Sequence, residues 1–175
     1  IASGVGRCVN ADAAETGLAD QSADVVVGEA MLSMQGEKAK RAIVGEAARI
    51  LRPGGRYVIH ELAMTPTTID EKVATEIRRA LARAINVNAR PLTVAQWRAC
   101  LEEAGLVVEE TRTAPMALLR PGRVIADEGL RGALRILRNV ARDKELRGRV
   151  MTMARTFNKY NHNLCGVAIV ARKPK

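Results

Sequence analysis

A few acidic and imidazole side chains in this sequence sit where strand ends can put them to work. Val25, Val26 and Val27 form a short continuous β-branched run, and Tyr57-Val58-Ile59 forms a second. Both predict strands buried in a parallel sheet covered by helices. Gly28, Glu29 and Ala30 follow the first run; His60, Glu61 and Leu62 follow the second. Open α/β sheets bind ligands at the carboxyl ends of their strands. At that edge His60 can take a proton from a nucleophile, Glu29 can serve as a base or hold a cation, and Gly28 allows a ligand close to the backbone. His162 and Cys165 have ligand-like spacing but no second pair, so no metal site is expected.

The elements that position these residues are legible in the periodicities. Between the two strands, Ile43, Ala47, Ile50 and Leu51 recur at helical spacing, which predicts a helix over Glu37–Leu51. Lys38, Lys40, Arg41, Glu46 and Arg49 are placed on its wet side. Pro53-Gly54-Gly55 ends it, since proline cannot extend a helix and glycine tolerates positive φ. Strand, helix, strand is a right-handed βαβ unit. Upstream, Arg7–Ala11 reads as a short strand that delivers Asp12.

Downstream, Thr68 and Glu71 form a capping box for a helix carrying Ile69, Val73, Ile77, Leu81 and Ile85. Thr93 and Gln96 repeat the device, with Leu92 stapled to Trp97 and Gly105 after the helix end. Leu106–Arg112 predicts a strand and Leu164–Arg172 the last one. Between them lies a helical insertion over about 114–163, with helices at Ile125–Val140 and Lys144–Tyr160.

The 175 residues, 47% hydrophobic, bound the chain to one globular domain. Its net charge of +9 permits an anionic partner. The basic side chains of the insertion, Arg131, Arg135, Arg138, Arg142, Lys144, Arg147 and Arg149, read as a solvated helix face, with acidic lipid or nucleic acid as the alternative. Aromatic residues make up only 2%, too few for a platform that stacks single-stranded bases. No apolar run approaches the roughly 20 residues of a membrane span. Three scattered cysteines and no secretory segment point to a cytoplasmic protein with reduced thiols. The first residue, Ile1, gives the expectation that the chain begins inside a larger protein.

Three segments, in order, resemble a known family: Asn10-Ala11-Asp12-Ala13; Leu18 with Ser22-Ala23-Asp24-Val25-Val26-Val27; and Ile50-Leu51-Arg52-Pro53-Gly54-Gly55-Arg56. Together they are similar to class I S-adenosylmethionine-dependent methyltransferases, of the type found in ubiquinone and menaquinone biosynthesis. The resemblance implies an α/β, Rossmann-like fold with a mostly parallel sheet and an antiparallel last strand. This chain would be a partial domain over 1–175, with the insertion as a lid. Arg7–Ala11, Asp24–Gly28, Arg56–Leu62, Leu106–Arg112 and Leu164–Arg172 correspond to the third to seventh family strands. The first two strands, the Gly-rich turn and the acid that takes the ribose hydroxyls have no counterpart.

For the cofactor S-adenosylmethionine, the resemblance implies that Asp12 accepts from the adenine amino group and Ala13 offers its N–H to the ring. Gly28, Glu29 and Ala30 floor the site. On its own, Asp12 reads equally as a turn-capping aspartate. His60 and Glu61 face the substrate, and Met153, Tyr160 and Asn161 of the insertion line the pocket of a small-molecule acceptor. Two other functions compete. One is a nucleic-acid methyltransferase or basic nucleic-acid-binding module, and the other is an interaction domain whose cofactor site is lost. The outer edge of Val25–Val27 should be covered by a shifted Arg7–Ala11, by the partner of a homodimer, or by strands this sequence lacks.

Overall fold

A computed structural model describes residues 6–116 and 121–175. The elements run β1 (Ala23–Glu29), a 3-10 turn (Leu32–Met34), α1 (Glu37–Ile50), β2 (Leu51–Met64), α2 (Glu71–Ile85) and β3 (Leu92–Thr93). They continue with α3 (Val94–Glu103), β4 (Val107–Pro115), α4 (Pro121–Arg142), α5 (Lys144–Lys159) and β5 (Leu164–Arg172). The sheet order is β1-β2-β5-β4, with the short β3 beside β2. β1 and β3 run parallel to β2, while β5 is antiparallel to both β2 and β4. The sheet is thus mostly parallel with an antiparallel last strand.

Alternation along the strands divides the sheet into two unlike faces. Tyr57, Ile59 and Ala63 of β2 and Val167, Ile169 and Ala171 of β5 face a core closed by α1 and α3, with Ile43, Val44, Ala47, Trp97 and Leu101. Trp97 is fully buried and donates its indole N–H to the Leu62 carbonyl (3.1 Å). On the opposite face, α2 and α5 cover only the far end of β2, where Met64 and Leu164 pack with Ile77, Leu81 and Tyr160. The rest of that face is bare among the described residues: Val25 is 58% and Val27 66% exposed, and Arg56 and His60 lie open beside them.

Several local expectations are corrected. Residues 7–11 form no strand; Asp12 and Glu15 make only an isolated bridge. With no strand there, the outer edge of β1 is unpaired among the described residues. The cap of α2 is Asp70, whose carboxylate accepts the Lys72 N–H (2.8 Å), and not Thr68. Asp70 stands directly before the first helical residue, two positions nearer than Thr68, and so reaches the first free donors. Val73 lies on the exposed side, and Ala74, Ile77, Leu81 and Ala84 are buried instead. The Thr93–Gln96 capping box forms as read.

β2 begins at Leu51, before the Pro-Gly-Gly turn, so that turn sits within the strand. Gly54 supplies a left-handed φ of 82°. A Cβ on Gly55 would lie 3.0 Å from the Asp24 carbonyl oxygen, so glycine there lets β1 approach.

Two charges placed on the wet side of α1 are buried. Lys40 reaches under the sheet edge to Glu37 (2.8 Å) and the Arg90 carbonyl (2.9 Å), over the Trp97 ring. Glu46 accepts the Thr16 N–H (2.8 Å) and hydroxyl (2.5 Å) and pairs with Arg49 (2.7 Å), which also holds Asp20. This network fastens the segment that follows Asp12 onto α1. The Arg49 guanidinium, and then the Thr16 hydroxyl, hold the Glu46 carboxyl at about 2.

A carboxyl lowered by folding stabilises the native state above its ordinary value of 4.5, and the gain fades as pH falls toward about 2. Glu46→Gln is therefore expected to lower the melting temperature at neutral pH, by a margin that closes between those values. An equal loss at both ends of that range in thermal melts would show that the charge plays no part.

Candidate active site at the carboxyl edge of the sheet

Parallel pairing brings the end of β1 beside β2, with Glu29 opposite His60; β2 itself runs on to Met64, beyond the expected strand end at His60–Leu62. The Ala30 N–H donates to the His60 carbonyl (2.8 Å). Ala30 itself takes a left-handed φ of 50°, uncommon for a residue with a Cβ. It turns the chain off the strand and into the 3-10 turn at Leu32–Met34.

Neighbouring strand residues point to opposite faces, so His60 and Glu61 cannot share a side. Glu61 is the one turned inward, and this corrects its expected place beside the substrate. It is buried, and its carboxylate accepts the N–H groups of Met31 (2.9 Å), Leu32 (2.6 Å) and Ser33 (3.1 Å). These donors head a turn that has no side-chain cap of its own. Glu61 thus fixes the loop that leaves β1.

His60 points to the bare face. Its Nδ1 lies 2.8 Å from Glu29 Oε1, and both side chains are exposed. A carboxylate only accepts, so Nδ1 carries the proton and Nε2 is left as the basic nitrogen. Nε2 hangs over β5, where a Cβ on Gly166 would lie 3.5 Å from it. Such a pair has the chemistry of an oriented base: the carboxylate fixes the tautomer and can stabilise the imidazolium formed on protonation.

Gly28 is buried, and a Cβ there would lie 3.0 Å from the Tyr57 hydroxyl. Glycine at this position is required by Tyr57 beneath it. Burial pushes the Tyr57 phenol well above its usual range, so it stays neutral. Asp12 is exposed; its Oδ1 accepts the Ala14 N–H (2.8 Å), and its carbonyl accepts from Glu15 (3.0 Å). It caps its own turn, and Ala13 packs half-buried against the core.

The residues expected to line an acceptor pocket are spread out. Tyr160 is buried and donates to Glu76 Oε1 (2.6 Å), where Lys159 also binds (2.9 Å), so it ties α5 to α2. The Tyr160 hydroxyl, and then Lys159, lower the Glu76 carboxyl. Met153 is half-buried and Asn161 exposed. Among the described residues no hydrogen bond joins these three to Glu29 or His60. A residue not singled out in the sequence, Asn163, links the start of β5 to the end of β2 by donating to the Thr65 carbonyl (3.2 Å).

As a donor set for S-adenosylmethionine the exposed groups are chemically suited. The Asp12 carboxylate has capacity to accept an amino group, and the Glu29 carboxylate can face a cation. Asp12 lies before β1 and Glu29 at its end, so the two carboxylates come from different segments.

Comparison with known proteins follows the same lines. Residues 2–59 match a family model described as a methyltransferase domain. An uncharacterized protein of Haemophilus influenzae is 36% identical over 154 residues, 88% of this chain and 59% of that protein. Among solved structures, a candidate sarcosine dimethylglycine methyltransferase from Galdieria sulphuraria superposes with a TM-score of 0.69 at 17% identity. That match covers 94% of this chain and 58% of the other.

The fold is that of the class I S-adenosylmethionine-dependent methyltransferases.

A phosphoethanolamine N-methyltransferase of Haemonchus contortus, in complex with phosphomonomethylethanolamine and S-adenosylhomocysteine, shares this methyltransferase fold. Its TM-score is 0.63 at 15% identity, covering 94% of this chain and 36% of that one. The chain thus spans 59% of the curated relative it matches. The unpaired edge of β1 and the bare face beside it are features of a chain that spans only part of these proteins' length.

Two substitutions test how the site is held. Glu61→Ala strips a charged acceptor from three N–H groups, two of them buried. It is expected to destabilise the chain by about 3 kcal/mol or more in denaturant unfolding, since each bond to a charged group contributes roughly 1.5–3. A loss below about 1 kcal/mol would show that water replaces the carboxylate. Gly28→Ala is expected to cost about 1–3 kcal/mol through overpacking against Tyr57. Adding Tyr57→Phe should return most of that loss, and strictly additive losses would place the strain elsewhere.

Proposed function

We propose that the protein carrying this chain transfers a methyl group from S-adenosylmethionine to a small-molecule acceptor, with Glu29 and His60 as its acid–base pair. The observation that carries this reading is the Glu29–His60 hydrogen bond of 2.8 Å at the carboxyl edge of β1 and β2. It lies where an open α/β sheet binds its ligands, in a methyltransferase fold.

When bound, the cofactor supplies an electrophilic methyl on a sulfonium. Asp12 accepts from the adenine amino group, the Ala13 N–H meets the ring, and Gly28, Glu29 and Ala30 form the floor beneath. The Asp12 carboxylate stands open for this role, with Ala14 its one hydrogen-bond donor among the described residues. His60 Nε2 would take the proton that the acceptor gives up on methylation, while the sulfonium sulfur keeps the pair of its broken S–CH3 bond and leaves as a neutral thioether. Glu29 holds the resulting imidazolium. The rest of the catalysis is proximity and orientation.

Tyr160, which ties α5 to α2 through Glu76, and the half-buried Met153 of α5 act on acceptor choice. A small acceptor is favoured over nucleic acid by the phosphomonomethylethanolamine held by the Haemonchus relative.

In the protein carrying this chain, His60→Ala is expected to lower kcat by roughly a hundredfold or more. The cofactor dissociation constant should stay within about twofold, a difference of about 0.4 kcal/mol. Glu29→Gln should give a smaller loss. Steady-state kinetics check this. Weakened cofactor binding with an unchanged kcat would remove His60 from the chemistry.

A further inference from the structure

The second half of α4 presents a combination that the site at the sheet edge does not use. Gly129, at a φ of 67°, interrupts α4, so residues 130–142 form their own helical piece. It reads Leu-Arg-Gly-Ala-Leu-Arg-Ile-Leu-Arg-Asn-Val-Ala-Arg, with four arginines and no acidic residue. At 1.5 Å per residue it is about 20 Å long.

Its three sides differ. Ala133 is buried and Val140 half-buried, and these two turn toward the body of the protein. Leu130, Leu134 and Leu137 follow at helical spacing and are 66%, 58% and 64% exposed. Three neighbouring leucines left this open form a contiguous apolar stripe, and such stripes mark interaction sites. One residue further on, about 100° round the helix, Arg131, Arg135, Arg138 and Arg142 make a second exposed row. The stripe and the row run side by side along the whole piece.

We propose that this helix lies on an anionic lipid surface. The leucines would enter the acyl boundary, and the arginines would lie level with the lipid phosphates. An interfacial helix has this distribution, an apolar side flanked by cations on a short amphipathic segment. Guanidinium groups take phosphate oxygens two at a time, which suits a headgroup layer. The charge argument decides the occupant. The row carries four positive charges with no acid interspersed, in a chain of net charge +9. The leucines sit on a convex helix surface, and lipid needs no shaped counterpart there. Nucleic acid would satisfy the arginines and leave the leucines against its phosphates.

Attachment would be reversible and peripheral, since no helix among the described residues is long and apolar enough to cross a membrane. This inference is independent of the chemistry assigned to Glu29 and His60.

The test is co-sedimentation of the protein with phosphatidylcholine vesicles, with and without phosphatidylglycerol. Binding is expected only with phosphatidylglycerol and should weaken as salt is raised. Replacing Arg131, Arg135, Arg138 and Arg142 together by glutamine should reduce binding on the order of a hundred- to a thousandfold, at about 1 kcal/mol per cation near the surface. The triple variant Leu130→Glu, Leu134→Glu, Leu137→Glu should abolish it. All three sites are exposed, so circular dichroism should be unchanged. Equal binding to neutral vesicles, no binding by the unaltered protein, or full binding by either variant would overturn the proposal. So would a shift from dimer to monomer in the leucine variant without vesicle binding by the parent, because the stripe would then join two copies of the chain.

Discussion

The arrangement at the sheet edge depends on one buried carboxylate. Glu61 accepts three consecutive backbone N–H groups at the head of the turn that leaves β1. Without it, those donors would be orphaned beneath the sheet, at a cost comparable to a lost hydrogen bond for each. With it, the chain after Glu29 has a single path, and Ala30 is held in a left-handed turn against the His60 carbonyl. The neighbouring side chain then has its orientation set by alternation alone: Glu61 inward obliges His60 to point outward, onto Glu29. The same strand therefore carries the anchor Glu61 and the outward-facing His60 in successive residues.

The second constraint is the inequality of the two faces. One is closed by α1 and α3 and contains Trp97, Tyr57 and the strand residues of odd number in β2 and β5. The other is closed by α2 and α5 at one end only. His60 lies at the border between the covered end and the bare valines of β1. A base placed there is solvent-accessible yet oriented, because its ring is tied to Glu29 and overlies Gly166. Arg56 and Arg172 clamp Glu109 on the same sheet (2.9 and 2.6 Å), and this joins β2, β5 and β4 across the open face.

Much of this order was legible in the residues. The Thr93–Gln96 box and the apolar last strand are strong local signals, and each became the element it predicted. The valine run became a strand but not one buried on both faces, since no helix among the described residues covers Val25 and Val27, which are 58% and 66% exposed. Arg7–Ala11 failed as a strand because pairing is not local: a short segment becomes a strand only beside a partner, and none stands next to it here. Lys40 and Glu46 were misplaced because helical periodicity predicts which side is apolar but not which charges find buried partners. Lys40 found Glu37 and the Arg90 carbonyl, and Glu46 found Thr16, thirty residues before it. Within the candidate site, strand alternation was enough to separate His60 from Glu61. Which of the two faced inward depended on α1 and α3 covering one face, and that is a tertiary fact. The expected acceptor residues Met153, Tyr160 and Asn161 belong to the insertion, and a place in an insertion does not fix where a side chain points.

Asp12, Ala13 and the end of β1 are proposed to form one cofactor site. A backbone amide NMR titration of the protein carrying this chain with S-adenosylhomocysteine tests this. Saturable shifts are expected at Asp12, Ala13 and Gly28 to Ala30, with smaller ones relayed to Met31, Leu32 and Ser33 through the Glu61 carboxylate. A saturable titration whose shifts leave both Asp12–Ala13 and Gly28–Ala30 unmoved would contradict it.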